Sequence, residues 1–69
     1  MTRLQAIKEL EAAQDETQSY NTFARLEDAL FTLKMADGPE DLQFARTEMQ
    51  RHAAASMNPS IQKVARLLK

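Results

Sequence analysis

The stretch Tyr20-Asn21-Thr22-Phe23-Ala24-Arg25-Leu26-Glu27-Asp28-Ala29-Leu30-Phe31-Thr32-Leu33-Lys34-Met35 decides the fold. Phe23, Leu26, Leu30 and Leu33 recur at spacings of three, four and three, which on a helix sets them along one stripe. Tyr20, Ala24, Phe31 and Met35 form a further apolar strip that adjoins it. The segment is therefore apolar around more than half of its circumference, with only Arg25, Asp28 and Thr32 as a clearly wet edge. A helix with so much apolar surface is covered on more than one side.

Upstream, Leu4, Ile7, Glu11, Gln14 and Gln18 share a seam, with Leu10 beside it. At about 100° per residue this seam and the later stripe fall on different sides of one cylinder. The composition predicts one long helix over about 2–36. The run Ala13-Gln14-Asp15-Glu16-Thr17-Gln18-Ser19 lacks a strong apolar residue, and Ser19 or Asn21 can cap a new helix, so the phase change also fits a break there.

Two punctuation marks follow. In Asp37-Gly38-Pro39-Glu40-Asp41, Gly38 suits the end of one helix and Pro39 the first turn of the next, with acids behind it. In Asn58-Pro59-Ser60, Asn58 can cap a last helix that Pro59 opens. Helices are predicted over about 39–56 and 59–68. Eleven alanines and eight leucines stand against two isoleucines, one valine and one glycine, too few β-branched and turn residues for a sheet. The expected fold is all-α and one domain over 1–69: a helical hairpin of a long first and a shorter second helix, with a short C-terminal helix.

On the second helix, Leu42, Ala45, Met49, His52, Ala53 and Ser56 share one face, and Phe44, Thr47 and Arg51 another. On the third, Ile61, Val64, Ala65 and Leu68 point inward and Gln62, Lys63, Arg66 and Lys69 outward.

A chain of 69 residues makes one domain with a marginal core, since at this size only about 60% of the unfolded surface is buried. Small proteins add disulfides, a metal or a second subunit. With no cysteine and one histidine, neither a disulfide nor the usual three or four zinc ligands can form. Self-association is the remaining support. The expected homodimer seam is Phe23, Leu26, Leu30 and Leu33, because one short second helix covers only one side of the first.

The chemistry of catalysis is missing from the sequence. His52 follows Glu48 at helical contact spacing, but no nucleophile or second acid accompanies it. The acid pairs Glu9/Glu11, Asp15/Glu16, Glu27/Asp28 and Glu40/Asp41 lack EF-hand spacing and read as solvated helix faces. A single glycine builds no phosphate-cradling loop, so no enzyme and no cofactor is expected. The charged opening Met1–Glu16 lacks a signal-peptide core, and no run approaches the roughly 20 apolar residues of a membrane span. A cytoplasmic protein that does not engage membranes is expected.

Binding of another macromolecule is what remains. Net charge is −1 and the isoelectric point about 5.7, without the basic excess of a dedicated nucleic-acid binder. Met1–Ala36 carries four basic and six acidic residues; Asp37–Lys69 carries five and four. A protein partner is therefore favoured, with Phe44 and Arg51 two turns apart along one face and Tyr20 contributing from the first helix. The competing expectation is DNA. Ser60-Ile61-Gln62-Lys63-Val64-Ala65-Arg66-Leu67-Leu68-Lys69 resembles the recognition helix of some repressors in outline, with Lys63, Arg66 and Lys69 as phosphate contacts.

In size and layout the whole chain is similar to the small helical proteins that phages and mobile elements make to inhibit host regulators, quorum-sensing anti-activators among them. No diagnostic motif carries the likeness, and it transfers no functional residue. It implies a helical hairpin or dimer that occupies a surface of a host transcription factor or other protein.

Overall fold

A computed structural model describes residues 1–69, and all of its regular structure is helical: α1 (Arg3–Glu16), α2 (Tyr20–Met35), α3 (Gly38–Ala55) and α4 (Pro59–Leu67). The last two match the expected spans closely. The long first helix does not exist as one piece. It breaks at Thr17–Ser19, and the phase change between the two apolar stripes is the mark of that break.

Local hydrogen bonding explains the break. The Thr17 amide closes α1 on the Ala13 carbonyl at 3.0 Å. Ser19 starts α2 by accepting the Thr22 amide on its hydroxyl at 3.2 Å. Thr17 Oγ1 accepts the Ser19 amide at 3.2 Å, which holds the three-residue link together. Short polar side chains satisfy the freed backbone groups here, whereas a continuous helix would have had no apolar face to bury through residues 13–19. The link turns α1 back on α2. Arg3 donates to the Leu33 carbonyl at 3.1 Å, and Gln14 Nε2 to Glu27 at 2.9 Å, so the two helices run antiparallel.

Gly38 carries the reversal into α3 with φ +87°, a left-handed conformation that costs other residues a Cβ clash. Behind it, Asp41 reaches back to accept the Asp37 amide at 3.1 Å. Asn58 caps α4 by accepting the Ser60 and Ile61 amides at 3.0 and 3.1 Å. Gln62 does not face solvent freely. Its amide donates to the Ala53 and Ser56 carbonyls, both at 2.7 Å, and so finishes the C-terminal end of α3.

The four helices pack in a ring, α1 on α2, α2 on α3, α3 on α4 and α4 on α1. One core fills the middle, built from Ile7 and Leu10, Leu26, Leu30 and Leu33, Met49, Ile61, Val64 and Leu68, with Ala6, Ala29 and Ala45 at close approaches. Three of the four residues expected at a dimer seam are therefore spent inside the chain. Leu26 and Leu33 are fully buried and Leu30 is 1% exposed. α1, folded back, covers the side of α2 that a single second helix leaves open. No helix is long and apolar enough to cross a membrane.

Candidate functional site

The two apolar stripes of α2 have separate fates. Leu26, Ala29, Leu30 and Leu33 turn inward, and the adjoining strip stays outside. Phe31 and Met35 lie one turn apart on that strip, 65% and 64% exposed. Phe44, 61% exposed, approaches them from α3. Together with Thr32, Ala36 and Asp41 they line a shallow groove of about 220 Å³ between α2 and α3.

Three large apolar side chains side by side on so small a protein are unusual, since isolated exposed hydrophobics are ordinary but clusters mark contact sites. The core is already closed beneath them, so their exposure is not a failure of packing.

Farther along the same pair of helices the seam becomes polar. Arg25 and Asp28 of α2 face Glu48, Arg51, His52 and Ala55 of α3. Arg25 Nη1 lies 3.3 Å from His52 Nδ1. A guanidinium only donates, so this Nδ1 accepts and the ring proton belongs on Nε2, which points toward Asp28 at 3.9 Å. His52 is buried. Glu48, four residues before it, turns away to pair with Arg51 at 3.1 Å. His52 thus pins α2 to α3 and lies below the surface.

The residues expected to bind a partner separate in space. Phe44 is in the groove. Arg51 is exposed two turns on, already occupied by Glu48. Tyr20, 82% exposed, stands at the opposite end of α2 from Phe31 and Met35. The contacts that complete the patch are Phe31 and Met35. Their signal was the strip Tyr20, Ala24, Phe31, Met35, which reads equally well as core until the α1–α2 link shows which side is covered. Phe23, the fourth residue of the expected dimer seam, is 43% exposed and stands apart from its three buried companions.

The expected DNA contacts do not form one free row. Lys63 Nζ pairs with Glu9 of α1 at 2.8 Å, and Ser60 donates to the same carboxyl at 3.4 Å. Arg66 and Lys69 remain exposed, two cations at the end of a short helix. There they also offset the negative helix terminus. Elsewhere, no three His, Asp or Glu side chains converge into a cluster able to hold a metal.

No protein-family model matches the chain, and no curated protein or solved structure matches it significantly.

Proposed function

We propose that this protein is a non-enzymatic interaction module that modulates another protein, a transcriptional regulator being the leading kind of target, by direct contact through its α2–α3 face. The observation that carries the reading is the Phe31–Met35–Phe44 cluster, exposed above a core that is complete without it. Aromatic and methionine side chains are enriched where protein interfaces are most buried, and they adapt well to a partner's pockets. Small size, shared with the helical proteins that inhibit host regulators, suggests the target class. Self-association is a weaker use of the chain, because Leu26, Leu30 and Leu33 are no longer free for it.

The test is a comparative capture. The protein and its Phe31→Ala, Phe44→Ala and Met57→Ala variants are immobilised and challenged with the same lysate, with thermal unfolding recorded for each. A protein retained by the parent and by Met57→Ala, but lost with both groove variants at unchanged stability, supports the reading. Met57 serves as the control because it is exposed in the link before α4, away from the groove. Retention by all four removes the groove as the site.

A further inference from the structure

The border of the groove is acidic and its cations are spoken for. Asp41 forms part of the groove wall, and Asp37 and Glu40 lie beside it at the start of α3. On α2, Asp28 precedes Phe31 by one turn and is exposed. The basic residues of the same two helices are turned to other duties. Lys34 pairs with Glu11 of α1 at 3.2 Å, and Arg51 pairs with Glu48 at 3.1 Å. Arg25 donates toward His52, and Arg46 sits with Gln43, Thr47 and Gln50 on another side of α3.

Glu40 and Asp41 also offset the positive N-terminal end of α3, which accounts for acids there without any partner. Asp28 has no such role, being in the middle of α2, whereas Glu27 faces α1 and accepts from Gln14 at 2.9 Å. The apolar patch is therefore flanked by negative charge at two places, one on each helix.

Resting on the reading above, we infer that the element this face receives is an amphipathic helix bordered by lysine or arginine. Its apolar side seats on Phe31, Met35 and Phe44, and its cations meet Asp28, Asp41 and their neighbours. The all-helical chain has no sheet edge on which a partner strand can grow, whereas a groove between two antiparallel helices takes a third helix by ridge-into-groove packing. A helix of about 18 residues spans about 27 Å, close to the 33 Å long axis of the molecule. A second copy of this chain is the poorer occupant. A two-fold contact through the patch brings the acidic border of one copy against that of the other.

The experiment uses two synthetic amphipathic peptides of about 18 residues with identical leucine positions, one with lysine and one with glutamate on the polar side. Binding to the full-length protein is measured by calorimetry at low and moderate salt, and the contact mapped by nuclear magnetic resonance. The expected result is that the lysine peptide binds at least about tenfold more tightly than the glutamate peptide. Its affinity falls with salt, and it shifts the signals of Phe31, Met35 and Phe44. Phe44→Ala weakens it about tenfold or more, and the reversal Asp28→Lys, which leaves the Asp41 hydrogen bond to the Asp37 amide in place, reduces the preference at unchanged unfolding temperature.

Equal binding of the two peptides, preference for glutamate, no binding of either, or binding that Phe44→Ala leaves untouched each overturns the inference. So does a sedimentation profile showing a dimer that Phe44→Ala dissociates, since a second copy then owns the face. The capture experiment separates the two levels. Groove-dependent capture with no charge preference removes the cationic helix alone, and loss of groove dependence in both removes the site as well.

Discussion

Glu9 of α1 and Lys63 of α4 meet at 2.8 Å, closing the ring of helices between the first and the last. The Lys63 hydrogen bond, aided by its charge and by Ser60, holds the Glu9 carboxyl below its ordinary value of 4.5 against the opposing effect of burial. A carboxyl held low in the folded state stabilises it at neutral pH, and that contribution fades as pH falls through 4.5 and below. Both side chains are partly exposed, so the pair is worth about 0.2–1 kcal/mol. Glu9→Gln is expected to lower the unfolding temperature at pH 7 by a few degrees at most, and to leave it equal to the parent near pH 3. A difference that grows on acidification contradicts this sign.

Leu30 and Phe31 are neighbours in sequence and opposites in energy. Leu30 is buried in the core, and its truncation to alanine should cost about 2–5 kcal/mol, enough to unfold much of so small a domain. Phe31→Ala removes a larger side chain from a largely exposed position and should change stability by about 0.5 kcal/mol or less. Denaturant unfolding of the two variants side by side checks the contrast. Equal losses would mean that Phe31 is packed and the patch is not a surface.

Gly38 has open space where a Cβ would stand, so steric crowding by neighbours does not require the glycine. Its φ of +87° does. Gly38→Ala is expected to cost about 1–2 kcal/mol, with retained helix content by circular dichroism. A neutral or stabilising result would show that the α2–α3 turn relaxes to another conformation at no cost.

Gln62 joins two helices with one side chain, donating to Ala53 and Ser56 at the end of α3 from within α4. Gln62→Ala should cost about 1–2 kcal/mol through the two carbonyls left without it, while Gln43→Ala, exposed on α3, should cost almost nothing. Comparable effects for the two would deny Gln62 its capping role.

Much of this architecture is readable from residue type because punctuation is chemical. Asn58-Pro59 and Gly38-Pro39 announce α4 and α3 through fixed φ values, a side-chain acceptor and a left-handed glycine. The link at Thr17–Ser19 is quieter, since it contains neither proline nor glycine, and serine and threonine are tolerated within helices. Its trace is the mismatch of phase between Leu4/Ile7 and Leu26/Leu30. Overlooking that link also misassigns the surface. While α1 and α2 are one rod, Leu26, Leu30 and Leu33 need an outside partner; once α1 folds back, they have one. The exposed patch then falls to residues that share a helix with the core, and periodicity ranks two apolar stripes without saying which is wet. Phe44 was separable from the start because Leu42, Ala45 and Met49 already supply a better inward face on α3.

The separation of the two stripes on α2 has a consequence for change over time and by design. Leu26, Ala29, Leu30 and Leu33 write the fold, and Phe31, Met35 and, across the groove, Phe44 form the exposed patch, with no residue serving both. Substitutions at the second set would change the proposed contact without first having to be rescued by compensating changes in the first. Under the proposed function, a lineage carrying this chain would follow an altering target by drift at a handful of surface positions. A library randomised at Asp28, Phe31, Met35 and Phe44 would for the same reason remain mostly folded, which makes the small cysteine-free bundle a ready framework for selecting new binders.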